Sequence, residues 1–459
     1  MTLTRRSFLT TAAASVSAAA LAPGARAASP KLLTAAPANI QLAPEGYAAA
    51  DLWCFDGQNP GPELRLRQGD ILERRFVNGL DQPSSVHWHG IRIDNAMDGV
   101  PGLTQDVVPP GGTFDYRFRL PDAGTWWYHS HNRSWEQLAR GLYGPLIVDE
   151  TSPPDIDRDL TLMIDDWRLT ETGALMGGFG QMHDNAHGGR LGNFITVNGA
   201  ELGRIEARRG DRLRLRLINA ANARIFDLGW TGLRAWIMAL DGMPLEQPLP
   251  ADQVVLAPAQ RADLFADVTG GAADATLFLR HRDTAYALAD LTELPGGTDT
   301  LRDAPAALPP NPVRQLAAMP ETLTDVVMEG GAMGGLQSAT YQGEVLGIRE
   351  LAQRGMVWAL NGVAGLTDAP LMRADMGSTH GIRFANRTAF PHGMHLHGHH
   401  FRERLPGGGL GPWRDTLLVQ PNETREVAFV ADNPGKWLLH CHMLGHQAAG
   451  MKTWLQVGA

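Results

Sequence analysis

The chain has 459 residues, of which 44% are hydrophobic, so it is long enough for three domains of ordinary size. Acidic residues outnumber basic ones 49 to 40, and the formal net charge of −9 disfavours nucleic acid and anionic membranes as partners. Only two cysteines occur, which excludes a disulfide-rich fold.

The first 27 residues predict a twin-arginine export signal. Arg5-Arg6 is followed by an alanine-rich apolar run and then by Ala25-Arg26-Ala27, which is typical of a cleavage site. The apolar run is too short to span a bilayer. We therefore expect a periplasmic or secreted protein without a membrane span. After cleavage the chain retains 37 basic and 49 acidic residues, a formal charge of −12.

Two linker-like segments divide the remainder of the chain. Proline-rich or acidic breaks at 151–155 and 305–312 predict domains over residues 38–150, 155–304 and 313–459. Alternating runs such as Thr113–Arg119, set among 52 glycines and 30 prolines, predict strands between turns. We therefore expect an all-β protein. Cys54, in an early strand, is expected to be a small buried residue without a disulfide partner.

Three segments of the chain resemble one another, and each reads as a turn followed by a strand. They end at Asn78, Asn219 and Asn386. Positions nine and eleven residues after the first and third asparagines are histidines, whereas the same offsets after the second give Leu228 and Trp230. We therefore expect metal ligands in the first and third domains, and a middle domain that holds the outer domains in register as a spacer or also shapes the substrate pocket.

Ten of the sixteen histidines fall in four clusters, and eight of these form four His-x-His pairs. In a strand, residues i and i+2 point to the same face, so each pair presents two imidazoles on one side. The pairs are His87 with His89, His129 with His131, His395 with His397, and His440 with His442. Two domains that each contribute two pairs predict one eight-histidine cluster at their interface.

Cys441 lies between the two histidines of the last pair, so its side chain points to the opposite face and its backbone links two metal centres. Together with His446, Met451 and a histidine of the third cluster, it matches a two-histidine, one-cysteine site with a weak axial thioether. Imidazoles, one thiolate and one thioether favour copper over magnesium or calcium. The sequence therefore predicts a multi-copper protein.

The four motifs resemble the copper signatures of the multicopper oxidases, in the same order: His-Trp-His-Gly, Trp-Tyr-His-Ser-His, His-x-x-His-x-His and His-Cys-His-x₃-His-x₄-Met. The resemblance extends from about Ala38 to the end of the chain. It implies three cupredoxin-like Greek-key β-barrels and four copper ions. It also implies an oxidase that takes single electrons at a blue copper and reduces dioxygen to water at a trinuclear copper cluster.

The same resemblance implies ligands for each copper. The blue copper would be held by His392, Cys441 and His446, with Met451 as the axial partner. In the cluster, the single copper would take His87 and His395, one paired copper His89, His129 and His442, and the other His131, His397 and His440. Electrons would pass from Cys441 through the adjacent histidines. Axial methionine rather than leucine implies a modest reduction potential.

Oxygen reduction consumes protons, and Asp98 is the candidate that supplies them. It lies nine residues after His89, in Asp98-Gly99-Val100-Pro101-Gly102, which resembles the family loop whose acid borders the cluster. The alternative is an ordinary turn aspartate. Some relatives carry a second acid just after the last histidine ligand, where this chain has Gln447.

The electron donor stays open between two enzymatic hypotheses. A laccase-like enzyme would oxidise phenols or aromatic amines, whereas a metallo-oxidase would oxidise cuprous ion and would need soft ligands near the blue copper. A third hypothesis, a non-catalytic copper-binding protein, predicts missing cluster ligands, and none is missing here. We place the laccase-like reading first and expect a monomer.

Methionines and further histidines bear on that choice. Six methionines lie within 58 residues and fit either a core or a cuprous site: Met319, Met328, Met333, Met356, Met372 and Met376. A glycine-rich stretch with Met176, Met182, His183 and His187 predicts a surface loop or an accessory copper site. Asp415 is expected to be a strand-end salt-bridge or turn residue, or to lie at the rim of the blue copper and receive a proton from the donor. His399 and His400 are expected beside the ligands or on the surface.

Overall fold

The computed structural model describes residues 30–270, 275–316, 318–320 and 322–458. The predicted export signal over residues 1–27 lies outside this part of the chain. Within it, 32 strands are joined by four helices of at most six residues and by a 3-10 helix at Asn95–Met97. The all-β prediction is confirmed. No helix in the described ranges has the length and apolar character needed to cross a membrane.

The first third of the chain forms two four-stranded sheets that share one core, with strand orders β2-β1-β4-β6 and β3-β8-β7-β5. Its strands are β1 (Lys31–Ile40), β2 (Ala50–Phe55), β3 (Leu64–Arg67), β4 (Ile71–Asn78), β5 (Val86–His89), β6 (Thr113–Arg119), β7 (Gly124–Ser130) and β8 (Tyr143–Asp149), with helix α1 (Ser134–Gln137) before β8. Cys54 is fully buried in β2, as predicted, and burial raises the pKa of its thiol to about 12.

The middle third has a six-stranded sheet, β10-β9-β12-β17-β14-β15, packed on a five-stranded sheet, β11-β19-β18-β13-β16. Its elements are β9 (Arg158–Trp167), α2 (Met182–Ala186), β10 (Phe194–Val197), β11 (Gly203–Ala207), β12 (Arg212–Asn219), β13 (Phe226–Thr231), β14 (Leu233–Leu240), β15 (Met243–Ala251), β16 (Gln253–Leu256), β17 (Arg261–Val268), β18 (Thr276–His281) and β19 (Thr284–Glu293).

The last third has a six-stranded sheet, β23-β20-β25-β30-β27-β28, a five-stranded sheet, β24-β32-β31-β26-β29, and a hairpin of β21 and β22. Its elements are β20 (Leu323–Gly330), β21 (Ser338–Tyr341), β22 (Glu344–Gly347), α3 (Ile348–Gln353), β23 (Trp358–Leu360), β24 (Met372–Ala374), β25 (Thr379–Asn386), β26 (His392–Leu396), β27 (Phe401–Arg404), β28 (Leu410–Arg414), β29 (Thr416–Val419), β30 (Thr424–Val430), β31 (Gly435–Cys441), α4 (Leu444–Ala448) and β32 (Lys452–Val457).

The internal repeat recurs in the sheets. Strands β4, β12 and β25 each pair in parallel with one neighbour and antiparallel with the other. Each ends at an asparagine, Asn78, Asn219 or Asn386, whose Nδ2 donates to a backbone carbonyl four or five residues on, at 2.8–2.9 Å. The side-chain Oδ1 accepts from the N–H two residues on. The same turn therefore follows all three strands and sets the position of the next strand.

The strand pairs that carry the histidines occupy equivalent places in the repeat. In β5 and β7, His87 lies opposite His129, and in β26 and β31, His395 lies opposite His440. The equivalent pair in the middle third, β13 and β18, places Leu228 opposite Leu279. The apolar residues at these offsets therefore pack in the core of the middle third.

Candidate metal centre

Cys441, His392 and His446 lie together where β31, β26 and α4 meet. The Sγ atom of Cys441 is 3.6 Å from Nδ1 of His392 and 3.7 Å from Nδ1 of His446, and the two Nδ1 atoms are 3.0 Å apart. All three side chains are fully buried. One thiol and two imidazole nitrogens therefore converge on a single point, which is the arrangement that a two-histidine, one-cysteine copper site needs.

Hydrogen bonds on the outer edge of each ring decide which nitrogen faces the sulfur. Nε2–H of His446 donates to the backbone carbonyl of His187 at 2.6 Å, and Nε2–H of His392 donates to Oγ1 of Thr388 at 2.8 Å. Because the proton stays on Nε2, the lone pair of Nδ1 is free to bind a metal. Burial lowers the pKa of both imidazoles, that of His446 to about 4, so both rings are neutral at pH 7.

Met451 is held next to these residues by the backbone. The N–H of Cys441 donates to the carbonyl of Met451 at 3.1 Å, and the N–H of Met451 donates to the carbonyl of His446 at 3.0 Å. The thioether is fully buried in the same core. The methionine therefore belongs to the buried surroundings of the thiol.

The four His-x-His pairs form one buried cluster between β5–β7 and β26–β31. Rings from the two strand pairs stack directly: His87 lies on His397 with centroids 4.0 Å apart, and His89 lies on His395 at 3.8 Å. All eight imidazoles are buried. The first and last thirds of the chain therefore meet face to face through their histidines.

Backbone carbonyls fix the orientation of several of these rings. In each case Nδ1–H donates outward, from His87 to Asp98 at 2.7 Å, and from His129 to Ser130, His395 to Asp415 and His440 to Cys441 at 2.9 Å. The lone pair of Nε2 is then available to the cluster. Burial, reinforced for most of these rings by the neighbouring imidazoles, lowers the pKa of His89, His129, His131, His397, His440 and His442 well below the usual value.

The unpaired nitrogens of the cluster test whether it fits a metal. Within the eight-histidine cluster, six buried Nε2 atoms have no hydrogen-bond partner, those of His87, His89, His129, His131, His395 and His442. An unsatisfied buried nitrogen costs about 1–3 kcal/mol, so six of them in one place indicate that something else binds them. Neutral imidazoles with free lone pairs are the donors that copper prefers. The residues present therefore fit copper.

Groups of three ligand atoms within 4.8 Å of one another show how the cluster could be divided. One group, His131, His397 and His440, coincides with a set that the family resemblance implies. Two others mix members of different sets: His87 with His89 and His129, and His87 with His395 and His397. His87 and His397 each belong to two of these three groups, so neighbouring groups share histidines.

Asp98 is buried beside the cluster. Both carboxylate oxygens lie 3.1 Å from Nδ1 of His397. The loop reaches this position through Gly99, whose φ is +81° and at which a Cβ atom would lie 1.9 Å from the carbonyl oxygen of Val86. The carboxylate is thus held against a cluster ring, unlike that of an exposed turn aspartate.

Asp415, between β28 and β29, forms the strand-end salt bridge that the sequence predicts, and the alternative position at the rim of the blue copper is wrong. The residue is fully buried beside the eight-histidine cluster, with Oδ1 3.4 Å from Nε2 of His89 and from Nδ1 of His395. Arg261 of β17 donates to its two carboxylate oxygens at 3.0 and 2.7 Å. Burial raises the pKa of Asp415, but the Arg261 charge together with His89 and His395 outweighs burial and holds the pKa well below its usual value. No local pattern in the sequence marks Arg261, which lies 154 residues from its partner.

Two other histidines are also buried, which excludes the surface position considered for them. His399 and His400 are 1% and 4% exposed, and burial lowers the pKa of each to about 4. His400 packs on Trp126 with ring centroids 5.7 Å apart. Both therefore belong to the packing behind the cluster.

The glycine-rich stretch of the middle third covers the cysteine site. In this stretch, the carbonyl of His187 accepts the hydrogen bond from Nε2–H of His446, and the carbonyl of Asn185 accepts one from the indole N–H of Trp358 at 2.6 Å. His187 is half-buried there and His183 is exposed. The middle third therefore supplies the group that contacts the outer edge of His446.

The two candidate sites are joined by a single peptide segment. Cys441 faces the two-histidine site, while its neighbours His440 and His442 belong to the eight-histidine cluster. Nδ1–H of His440 also donates to the carbonyl of Cys441. A short covalent path therefore links the sulfur atom to the cluster, as the alternation of a strand requires.

Comparisons with known proteins agree with this geometry. Family models described as multicopper oxidase match residues 38–153, 158–278 and 340–459, together more than half of the chain. Multicopper oxidase MmcO of Mycobacterium tuberculosis is 31% identical over 430 residues, covering 86% of this chain and 81% of that protein. Laccase-1 of Botryotinia fuckeliana is 28% identical over 465 residues, covering 90% and 79%.

The fold is also similar to solved structures. Lac15 from a marine microbial metagenome matches with a TM-score of 0.76 and 47% identity, over 93% of this chain and 100% of that chain. The similarity extends through all three pairs of sheets, and the prediction of three cupredoxin-like barrels is confirmed.

Proposed function

This chain belongs to the multicopper oxidase family and is an oxidoreductase that uses dioxygen, and from that premise we propose that it is a laccase-like enzyme with four copper ions. The observation that carries the proposal is Cys441, whose thiol meets two imidazole nitrogens while its two chain neighbours belong to the eight-histidine cluster.

The proposed ligands are those that the family resemblance implies. His392, Cys441, His446 and Met451 would hold the blue copper, and His87, His89, His129, His131, His395, His397, His440 and His442 the trinuclear cluster. Copper, when bound, supplies one-electron oxidation at the first site and dioxygen reduction at the second. The ligand groups within 4.8 Å and the unpaired buried nitrogens support this division.

The protein orients the imidazoles before metal arrives. Outward hydrogen bonds from Nδ1 to backbone carbonyls keep Nε2 free in the cluster, and at the cysteine site the pattern is reversed so that Nδ1 is free. Such outer bonds fix the tautomer and strengthen the ligand. The buried pair of Arg261 and Asp415 lies behind His89 and His395 and restrains those rings from the opposite side.

Asp98 is proposed to supply protons. Its two oxygens face Nδ1 of His397 at 3.1 Å, and its backbone carbonyl accepts from His87, so the group is fixed within reach of the cluster. A positioned carboxyl group can hold a proton at its oxygen and release it to a reduced oxygen species nearby. Gln447 occupies the place of a second acid, and cannot do the same.

The donor is proposed to be a phenol or an aromatic amine that gives up one electron near His446. Nε2–H of His446 donates to the carbonyl of His187, and His187 is only half-buried. An electron donor bound over this segment would therefore lie close to His446. The name of the fungal relative Laccase-1 is consistent with this class of donor.

A second candidate donor, cuprous ion, is favoured by a separate observation. Exposed imidazole and thioether groups lie on and beside the segment that covers His446, at His183, Met182 and Met333. These are soft or borderline donors that suit monovalent copper. The non-catalytic hypothesis remains the third choice, because all the proposed ligands are present.

Four further statements remain proposals: export through the twin-arginine signal, a periplasmic or secreted location, a monomeric state, and the domain limits 38–150, 155–304 and 313–459.

Oxygen consumption by the copper-loaded mature chain, measured with a methoxylated phenol and with cuprous ion in parallel, tests the function. Bound copper near four per chain with oxygen uptake supports the proposal. Absence of uptake from both donors would leave only copper binding.

A further inference from the structure

The turn that follows β25 differs from its two counterparts at one position. In all three turns, the residue two places after the asparagine donates its N–H to the asparagine Oδ1, at 2.9–3.1 Å. That residue is Leu80 in the first third, Ala221 in the middle third and Thr388 in the last third. The backbone bond needs no side-chain hydroxyl, because leucine and alanine support the same turn. The hydroxyl of Thr388 therefore has another role.

Thr388 lies four residues before His392, a proposed ligand of the blue copper. Thr388 is 2% exposed, and its Oγ1 is 2.8 Å from Nε2 of His392. The last third has this histidine six residues after the asparagine, whereas the same offset gives Ser84 and Ile225 in the other two thirds. The hydroxyl thus occurs in the turn that leads to a proposed copper ligand at this offset.

The amide of Asn386 fixes the direction in which the hydroxyl points. Its Nδ2 donates to three backbone carbonyls, those of Phe390, Val419 and Gln420, at 2.8, 3.2 and 3.0 Å. Because carbonyls can only accept, the amide cannot be flipped, and Oδ1 faces Thr388. The O–H of Thr388 then donates to this Oδ1 at 2.8 Å.

A hydroxyl has one proton and two lone pairs, and the surroundings of Thr388 assign all three. The proton goes to Oδ1 of Asn386, and the carbonyl of Phe390, at 3.0 Å, also can only accept. One lone pair accepts from the N–H of Phe390 at 3.2 Å, and the other from Nε2–H of His392. His392 therefore carries its proton on Nε2, and its Nδ1 faces Sγ of Cys441 with a free lone pair.

The same asparagine also ties the turn to the strand beside the ligand. Val419 of β29 lies opposite His392 of β26 in the sheet, and its carbonyl is one of the three that accept from Asn386. Both the ring and the backbone of His392 are thus held by one buried network. Hydrogen bonds in series strengthen one another where the surroundings have a low dielectric constant.

We propose that Thr388 is a positioning residue for the blue copper: it holds the proton of His392 on Nε2 and thereby lowers the reduction potential of the site. This proposal rests on the blue-copper site proposed above and deepens it. A hydrogen bond donated from the outer nitrogen makes an imidazole a more basic ligand. A more basic ligand stabilises cupric ion more than cuprous ion, because cupric ion is harder and carries the higher charge.

The other histidine of the site shows why the test belongs at Thr388. Nε2–H of His446 donates to the carbonyl of His187, a main-chain group that a side-chain substitution leaves in place. The outer bond of His392 instead depends on a side chain. One substitution can therefore remove the outer bond of one ligand and leave that of the other.

Thr388→Val removes the hydroxyl at nearly the same shape and leaves Nε2–H of His392 without its acceptor. Cupric affinity at the blue-copper site should fall by about ten- to hundredfold, measured by competition with a chelator and followed by the blue absorption. The reduction potential should rise, by about 59 mV for each tenfold loss confined to the cupric form. Thr388→Ser keeps the hydroxyl and should restore both values. Thr388→Ala, which copies the middle turn, replaces the valine variant if that variant does not fold.

Thr196→Val is the matched control, because Thr196 is 1% exposed in β10 and its hydroxyl accepts from the indole N–H of Trp167 at 2.8 Å. It should leave the potential unchanged. Nitrogen NMR of the copper-free chain, labelled at histidine, adds a measurement without metal. The proton of His392 should lie on Nε2 in the unmodified chain and in Thr388→Ser, and should be distributed over both nitrogens in Thr388→Val.

An unchanged or lower potential in Thr388→Val would overturn the proposal. Reduced stability without a change in potential would mean that the hydroxyl serves only the fold, and would overturn it as well. If the unmodified chain shows no blue absorption after copper loading, the proposed function fails, and the effect on the potential fails with it. The proton position in the copper-free chain then still decides whether Thr388 orients His392.

Discussion

Arg261 donates to both carboxylate oxygens of Asp415, at 3.0 and 2.7 Å, and neither side chain is exposed to solvent. The pair joins β17 of the middle third to the last third, next to the eight-histidine cluster. Arg261 also donates from Nε to the carbonyl of Thr125 in the first third, at 3.2 Å. One guanidinium group therefore ties all three thirds together behind the proposed copper cluster.

Replacing Arg261 by Leu should destabilise the protein by about 3–5 kcal/mol at pH 7, because the Asp415 carboxylate would be left buried without its partner. The midpoint of urea unfolding measures the loss. A second substitution, Asp415→Asn, should recover part of it. If the two substitutions were simply additive, the pair would not be coupled and this reading of the contact would be wrong.

The pH dependence of that loss follows from the depressed pKa of Asp415. A carboxyl group whose pKa is lower in the folded state than in the unfolded state stabilises the fold at pH values above its unfolded-state pKa, which is near 4. This stabilisation is lost as the pH falls through the folded-state pKa. In Arg261→Leu, burial alone would raise the pKa. The stability difference between the two proteins should therefore be largest at pH 7 and should shrink below about pH 4. A difference independent of pH would contradict the assignment.

Asp98→Asn should slow oxygen reduction by about a hundredfold, since a positioned acid contributes roughly 10²–10⁴ to a rate. Anaerobic reduction of the blue copper by a phenol should proceed at its normal rate, because Asp98 lies at the cluster. Stopped-flow measurement of both half-reactions separates the two. Asp94→Asn is the control, because Asp94 is exposed in the same loop. Equal reoxidation rates for the two variants would remove Asp98 from proton delivery.

Met451→Leu should raise the reduction potential of the blue copper while retaining its colour. The thioether is proposed as a weak axial ligand that stabilises the oxidised ion, and leucine removes it at similar volume. Stability should change by less than about 1.5 kcal/mol, because the swap conserves volume in a buried position. A redox titration followed by the visible absorption measures the potential. A lower potential would show that Met451 does not approach the copper.

Asn219→Ala should destabilise the middle barrel by about 2–4 kcal/mol, because two carbonyls and one N–H lose their side-chain partner. This asparagine is the best test of the repeated turn, since its neighbourhood holds no proposed copper ligand. The thermal unfolding midpoint measures the effect, and copper content serves as the control. A neutral result would mean that the turn is set by the backbone alone.

Regular spacing in the sequence predicted much of the site. The period of two along a strand placed both histidines of each pair on one face, and the offsets from Asn78 and Asn386 identified equivalent strands in two barrels. The opposite direction of Cys441 follows from the same alternation. These features depend on local geometry, which a single sequence contains.

Other parts of the site have no local pattern. The Arg261–Asp415 contact spans 154 residues and crosses between barrels, so the sequence predicted a salt bridge at Asp415 but neither its partner nor its position beside the cluster. The carbonyl of His187 is a main-chain group whose role depends on where helix α2 packs, and any residue type would supply it. The burial of His399 and His400 likewise depends on packing between sheets.

The most direct test of the account is oxygen uptake by copper-loaded Cys441→Ser with a phenolic donor, beside the unmodified chain. Cys441 joins the two proposed sites, so the variant should lose its blue absorption, bind about three copper ions instead of four, and consume oxygen no faster than the uncatalysed control. Uptake at the rate of the unmodified chain would contradict the electron path through Cys441.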